Sequence, residues 1–260
     1  MTAIATWNVN SLRIRLPQVT SWLANAALTT PVDILAMQET KLTDPEFPRA
    51  ELEALGYHVM FSGQKTYNGV AVMSRWPCGE VVTDIPDFED PLRRVLAVTT
   101  NGWRIVNLYV PNGQSVGSEK YEYKLRWLAA LRNWLAGEMQ KHERLVVLGD
   151  FNIAPDDRDV HDPAAWAGSV HVSEPEREGL RALLALGLVD VFRKFEQPPK
   201  VYSWWDYRML AFRRNHGLRI DLVLASPAAA ALCTASRIDK EPRKVERPSD
   251  HAPVSAFFDA

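Results

Sequence analysis

Ile4-Ala5-Thr6-Trp7-Asn8-Val9-Asn10, near the start of the chain, and Val146-Val147-Leu148-Gly149-Asp150-Phe151-Asn152, past its midpoint, share one design. Each is a short apolar run that closes on two polar residues with one apolar residue between them. Apolar runs of this length, rich in β-formers, read as buried strands. Further runs of the same kind lie at Val32 to Gln38, Tyr57 to Phe61, Val70 to Met73, Val95 to Thr99, Ile105 to Val110, Ile220 to Ala225 and Val254 to Phe258. Helical patterns fall between them, at Leu16 to Leu28, Glu119 to Gln140 and Glu176 to Leu186, the last stopped by Gly187. So many strands crowd a single open sheet, whereas two sheets packed face to face with helices outside bury them all. The expected fold is therefore α/β (α+β): a four-layer αββα sandwich of two packed mixed β-sheets flanked by helices.

The 260 residues are 47% hydrophobic and 24% charged, which supplies a core and leaves too little charge excess for disorder. No Gly/Ser- or Pro-rich linker divides the chain, so residues 1–260 are expected to form a single domain. The net charge of −2 removes any global electrostatic reason to bind nucleic acid or an anionic membrane, and such binding must come from a local patch. Cys78 and Cys233 are too few for a disulfide framework and lack the CxxC spacing of zinc or thiol-redox sites. The start of the chain lacks a secretory pattern, and no run reaches the ~18 apolar residues of a membrane span. A cytoplasmic monomer without membrane contact is the expectation.

Polar residues recur at strand ends: Asn8 and Asn10, Gln38 and Glu39, Tyr109 and Asn112, Asp150 and Asn152, with Asp221 inside the Ile220 run and Asp250-His251 before the last one. Singly each is an ordinary turn residue. If they converge outside the strand ends, where sheet proteins place ligands, they form an oxygen-rich site suited to Mg²⁺ or Mn²⁺ rather than zinc. A Mg²⁺ ion held by one or two carboxylates commonly completes its shell with phosphate, which points to phosphoryl chemistry. A competing pattern is Gly113-Gln114-Ser115-Val116-Gly117, a GxSxG match followed by Asp221 and His251 in hydrolase order. Pro111-Asn112 intervenes before its first glycine and the helical pattern begins near Ser118, so the sharp strand-to-helix elbow is not formed.

Six blocks are spaced from end to end: Trp7-Asn8-Val9-Asn10-Ser11-Leu12-Arg13, Gln38-Glu39-Thr40-Lys41, Asn107-Leu108-Tyr109-Val110-Pro111-Asn112-Gly113, Gly149-Asp150-Phe151-Asn152, Leu218-Arg219-Ile220-Asp221 and Ser249-Asp250-His251-Ala252-Pro253. Together they resemble the exonuclease III and abasic-site endonuclease branch of the endonuclease/exonuclease/phosphatase superfamily. The resemblance implies the αββα fold and Mg²⁺-dependent phosphodiester hydrolysis, with Mn²⁺ as a substitute, leaving a 3′-hydroxyl and a 5′-phosphate. It implies that Glu39 is the principal metal ligand, with Asn8, Asp150, Asn152, Asp250 and His251 around the metal or scissile phosphate and Asn10 beside them. Tyr109 would donate toward a phosphate oxygen, Asn152 would orient the attacking water, and Asp221 would fix the His251 tautomer. Whether His251 or Asp150 takes the proton from that water stays open at this point.

Between residues 200 and 219, five cations (Lys200, Arg208, Arg213, Arg214, Arg219) face one carboxylate, Asp206, with Tyr202, Trp204, Trp205, Tyr207 and Phe212 interleaved. Such a cluster tracks nucleic-acid phosphates and stacks on bases. In the family, the position of Trp204 with Leu218 and Ile220 corresponds to the apolar pocket for an abasic sugar or a terminal nucleotide. Arg208 would wedge into the duplex or track a phosphate. Arg13, Lys41 and Lys65 are candidate backbone contacts, and Asn112 a further DNA-facing residue. The loop Asp156 to Pro163, which carries His161, either narrows the pocket or lines the path to a DNA end; if it narrows the pocket, 3′ ends are favoured over internal abasic sites. The expected function is a 3′-to-5′ exonuclease and 3′-end repair enzyme on double-stranded DNA with 3′ ends, nicks or abasic sites, AP endonuclease activity being an additional expectation. The alternatives are a metal-dependent phosphatase for lipid or small phosphoesters, and a catalytically weak module that binds damaged DNA.

Overall fold

The computed structural model describes residues 1–27 and 30–260, and Leu28 of the expected first helix lies outside the described residues. Two six-stranded sheets form the centre. The first runs, edge to edge, β11 (Cys233–Ile238), β12 (Val254–Phe258), β1 (Thr2–Asn8), β2 (Ile34–Gln38), β4 (Val70–Ser74) and β3 (His58–Ser62). The second runs β9 (Val189–Asp190), β10 (Asp221–Ala225), β8 (Leu145–Asp150), β7 (Trp103–Tyr109), β6 (Val95–Thr100) and β5 (Cys78–Val82). Both are mixed in the same way. Only β1–β2 in one and β7–β8 in the other are parallel, and the strand beyond each pair on either side is antiparallel. Read from these edges, the two sheets match strand for strand, so β1 corresponds to β8, β2 to β7 and β12 to β10.

The inner faces bury Ile4, Ile34, Val72, Val98, Ile105, Leu148, Val223, Val254 and Phe258 in one shared core. Helix Leu12–Ala27 covers the outside of the first sheet through Leu12, Val19 and Leu23, which pack on Trp7, Leu35 and Met37. Helices Glu119–Lys141 and Glu174–Leu184 cover the outside of the second through Trp127, Leu131, Leu135, Leu180 and Leu183. Each such buried side chain contributes about 1.5–3 kcal/mol, and the expected four layers follow from these three cores. Among the described residues no helix is long and apolar enough to cross a membrane.

Polar groups also lock the sheets in register. Gln38 Nε2 donates to Asn107 Oδ1 at 2.7 Å and to Thr6 Oγ1 at 2.8 Å, while Asn107 Nδ2 donates to the Met37 and Ala71 carbonyls at 2.9 Å. These bonds favour one alignment because a slip would break several buried amide contacts at once, with Gln38 Oε1 alone left unpaired among the amide atoms of the pair. Gly149 is required near the end of β8, between β10 and β7: its φ is +143° and a Cβ would lie 1.9 Å from the Leu108 carbonyl oxygen.

Candidate active site

The two stretches with the shared design end β1 and β8, corresponding strands of the two sheets, and close in the same local geometry. Asn8 Oδ1 accepts from the Asn10 amide at 3.0 Å, and Asp150 Oδ1 accepts from the Asn152 amide at 2.9 Å. Asn10 and Asn152 both adopt left-handed backbone, with φ of 44° and 51°, a conformation asparagine tolerates better than most residues. Val9 and Phe151 between them are fully buried and anchor each turn. Register carries the other groups to the same rim, since Tyr109 and Asp221 both pair with Asp150 and Gln38 pairs with Asn8. Glu39 follows β2, also left-handed at 52°.

At this rim Glu39, Asp150 and His251 each present a ligand atom, all within 4.8 Å of one another. Asn8 Nδ2 braces both carboxylates, at 2.8 Å from Glu39 Oε1 and 2.9 Å from Asp150 Oδ2. Its Oδ1 is taken by Asn10, so Asn8 acts here as a donor to the carboxylates. Asn152 Nδ2 likewise donates to Asp150 Oδ2 at 3.2 Å and to the Val110 carbonyl at 3.0 Å. Asp250 lies apart from the cluster, its two oxygens accepting from Asn10 Nδ2 at 2.9 Å and Trp204 Nε1 at 3.0 Å. Carboxylate oxygens with an imidazole and no thiolate fit a hard divalent cation.

Burial sets the protonation states. Asp150 is pushed up to about 7, first by burial and then by the Asp221 and Glu39 charges, against the pull of His251. A cation beside it would relieve that cost, which is a second reason the residues fit a metal. His251 moves the other way. Although burial opposes its charge, Asp221, whose carboxylate oxygens lie 2.9 and 3.1 Å from Nδ1, and then Asp150 raise the imidazolium to about 10. Its Nε2 lies 3.7 Å from Asp150 Oδ2. Tyr109 is pushed well above its ordinary range by burial and by the Glu39 and Asp150 carboxylates, and keeps its proton.

Lys41 does not reach outward. It ion-pairs with Glu39 at 2.9 Å and donates to Asn10 Oδ1 at 2.6 Å. Arg13 sits on the rim, paired with Glu46 at 2.7 Å, and Lys65 is exposed. Asn112 is exposed beside the cluster, 3.3 Å from Asn152 Oδ1. Ser115 of the GxSxG pattern is exposed in a loop, and among the described residues no hydrogen bond joins it to His251. The basic aromatic cluster is smaller than its sequence suggests. Tyr202 and Trp205 are core residues, and Arg219 is buried between Asp159 and Asp190. Arg208 is exposed but held by Asp206 at 2.6 Å. The outward cations are therefore Lys200, Arg208, Arg213 and Arg214.

Trp204, Leu218 and Ile220 do share an apolar cluster, with Ala154, Val160, Val172 and Trp166. Leu218 and Ile220 are its buried floor, and Trp204 is the half-buried face. His161 stands further out, stacked on His216 at 4.8 Å, with its ring 6.2 Å from Trp166. The imidazole beside Trp204 is His171, 6.3 Å away, while Trp166 lies 6.5 Å from Trp204. The turn at residues 168–172 brings the His171 ring under Asn152, so His171 is the imidazole that lies against Trp204, while His161 lies against Trp166 and His216. Burial lowers His171 to about 4, with Lys124 adding to the shift. The neutral ring donates through Nδ1 to the Asn152 carbonyl at 2.7 Å and faces Asn112 Nδ2 with Nε2 at 3.4 Å. Sequence reading also passed over Lys124 and Glu176, a fully buried ion pair 2.5 Å apart. A lysine and a glutamate on patterned helices carry no local sign of burial. The one available signal was Ser173 with Glu176, a capping box that ties Glu176 to its helix start.

A sequence profile of the endonuclease/exonuclease/phosphatase family matches residues 5–251. The exodeoxyribonuclease III of Haemophilus influenzae is 34% identical over 265 residues, covering 97% of this chain and 98% of its own. The 3′ phosphatase NExo from Neisseria, solved with a product DNA hairpin, superposes with a TM-score of 0.96 at 48% identity over 100% of both chains. An AP endonuclease from Archaeoglobus fulgidus gives 0.95 at 40%, again over 100% of both. With its two mixed sheets, its carboxylate rim and a match across nearly its full length, the chain belongs to the endonuclease/exonuclease/phosphatase family.

Proposed function

We propose that this protein is a DNA repair nuclease that hydrolyses phosphoesters at the 3′ ends of double-stranded DNA, releasing nucleotides or a blocking phosphate, with Mg²⁺ as its cofactor and Mn²⁺ as a substitute. It would act as a monomer, since both sheets of one chain complete the site. The observation that carries the reading is the apposition of Glu39, Asp150 and His251 within 4.8 Å, flanked by Asp221 and Tyr109. The similar proteins named for exonuclease, 3′ phosphatase and AP endonuclease activities support the DNA substrate.

Glu39 and Asp150 would hold the cation, which when bound neutralises charge building on the phosphoryl oxygens. The remaining work falls to the side chains. The Asp150 carboxylate, beside the cation and the Asn152 amide, would accept the proton of an attacking water. His251, kept protonated by Asp221, is a poor base at neutral pH and serves as a cationic donor to a phosphoryl oxygen. Tyr109 keeps its hydroxyl proton and donates from the opposite sheet. The Asn152 amide, fixed against Asp150, orients the water.

Substrate choice follows from the pocket. Trp204, Trp166 and His171 crowd the space in which an extruded sugar would sit, so a terminal nucleotide or phosphate is favoured over an internal abasic residue. The test uses three end-labelled duplexes, carrying a recessed 3′-hydroxyl, a 3′-phosphate or an internal abasic analogue, with Mg²⁺ and with EDTA. Mg²⁺-dependent processing of the first two is expected. Cleavage that survives EDTA, or none of any substrate, would overturn the nuclease reading, and preferred incision at the abasic analogue would overturn the end preference.

A further inference from the structure

We propose that Lys124 is a positioning residue for the reaction, its buried ammonium holding the left-handed Asn152 peptide so that the Asn152 amide stays aimed at Asp150. This inference rests on the nuclease reading above and goes beyond it to a side chain that touches no reacting atom.

Lys124 lies on helix Glu119–Lys141, outside the second sheet, yet its side chain has no exposure at all. Its Nζ donates to the Asn152 carbonyl at 2.7 Å, to the Asn112 carbonyl at 3.2 Å and to Glu176 Oε1 at 2.5 Å. An ammonium has three protons, and all three are used. The Asn152 carbonyl also accepts from His171 Nδ1, so both of its lone pairs are occupied. That matters because Asn152 has φ of +51°, a strained choice for a residue with a side chain, which persists where surroundings enforce it. Rotation of this peptide toward ordinary backbone would swing the side-chain amide away from Asp150 and Val110 and break two bonds to buried donors.

Glu176 completes the arrangement. It accepts from the His171 amide at 3.0 Å, from the Ser173 amide at 3.2 Å and from Ser173 Oγ at 2.5 Å. One carboxylate thereby caps a helix, neutralises Lys124 and fixes the loop that carries the pocket-narrowing imidazole. Gly113 is shaped to the same purpose: at φ +94° its missing Cβ would lie 3.2 Å from Lys124 Cδ and 3.2 Å from Val170. The fold alone does not need a charged pair here, since buried ion pairs replaced by apolar residues of similar volume commonly leave stability unchanged or improved. What the ammonium adds is a single donor group that ties the Asn112 and Asn152 carbonyls together across the two loops.

The experiment compares the full-length wild type with Lys124→Met, Lys124→Arg and the double variant Lys124→Met/Glu176→Leu, which keeps the volume apolar if the single change fails to fold. The substrate is the 3′-phosphate duplex with Mg²⁺, and binding is measured separately in EDTA. Expected in the folded Met or Met/Leu variant is a kcat loss of about 10²-fold, the scale of a small misplacement of a reacting group. KM and the EDTA dissociation constant should stay near wild type, and Lys124→Arg should recover most of the rate. In ¹H–¹⁵N spectra the Asn152 side-chain resonances should shift in the Met variant and return toward wild type in the Arg variant. A kcat that stays at wild type, a rate loss that merely follows the folded fraction or KM, or Asn152 resonances that do not move would each overturn the proposal. A wild type without Mg²⁺-dependent cleavage would sink the nuclease reading instead, and the Asn152 spectra would still decide the role of Lys124.

Discussion

Replacing Asp221 by Asn removes one negative charge from a fully buried position and leaves the side-chain shape intact. The carboxylate faces His251 Nδ1 at 2.9 and 3.1 Å. The imidazolium is raised from 6.5 to about 10, a shift worth about 5 kcal/mol at 1.36 kcal/mol per unit. Asp221, Asp150 and Asp250 share it, with Asp221 contributing most against the opposing cost of burial. If Asp221 supplies about half, Asp221→Asn lowers the imidazolium pKa by roughly two units. Because the folded value exceeds the unfolded one, the stability contributed by this group is fully present below pH 6.5 and is lost as pH rises through about 10. In Asp221→Asn that loss moves to lower pH and shrinks. At neutral pH the variant ring stays mostly protonated, so single-turnover cleavage should change little there and fall by about tenfold near pH 9, its alkaline limb moving down by roughly the same two units. The assay pairs that rate profile with ¹H–¹³C spectra of the His251 ring across the alkaline range. A wild-type ring that titrates near 6.5, or a variant ring that stays at about 10, would refute the reasoning.

His171→Gly should open the space beside Trp204 and raise incision at an internal abasic analogue relative to 3′-end removal by about tenfold, the scale of a cleared methyl-sized or larger obstruction in a pocket; an unchanged ratio on the same gel would return the choice to another residue. Mg²⁺ should raise the melting temperature over the EDTA value, and the increment should grow as pH rises through about 7. The sign follows from Asp150: its raised carboxyl contributes stability below its unfolded value of 3.8 that is lost as pH rises through 7, and a cation takes the place of the departing proton. In Asp150→Asn that pH dependence should disappear. Arg219→Met leaves Asp159 short of its closest buried partner beside Arg193 and should cost about 3–5 kcal/mol in urea unfolding; a loss below about 1 kcal/mol would show the network to be dispensable.

Eight interior strands and the edge strand β3 were legible because each carries an apolar run, and their ends carried the site with them. The strands that went unread are β5, β9 and β11, three sheet edges. Cys78–Val82 is mostly exposed, Val189–Asp190 has two residues, and Cys233–Ile238 exposes Thr234, Ala235 and Arg237, so none shows the continuous burial that marks a central strand. The site was legible where chemistry coincides with a strand end, as at Asn8, Glu39, Tyr109, Asp150 and Asp221. It was not legible where a residue acts from outside the sheet. Lys124 and Glu176 meet 52 positions apart through helix packing, and His171 reaches Asn152 through a turn that no periodicity announces. Charge in the sequence also misled at Arg219, because an arginine between two apolar pocket residues can be paired inward as readily as exposed.

The first and last strands of the chain lie side by side. β12 fills the place between β11 and β1, Trp7 Nε1 donates to the His251 carbonyl at 3.2 Å, and Ser249 Oγ donates to the Asn8 carbonyl at 2.7 Å. A growing polypeptide therefore makes Asn8 long before His251 and, at roughly 5–20 residues per second of synthesis, must wait before the two can meet. Until then β1 has an open edge and the carboxylates lack their imidazolium. A chain stopped short of residue 249 would carry Glu39, Tyr109 and Asp150 without His251 and with one side of β1 unpaired, so the sheet and the site are completed in the same step.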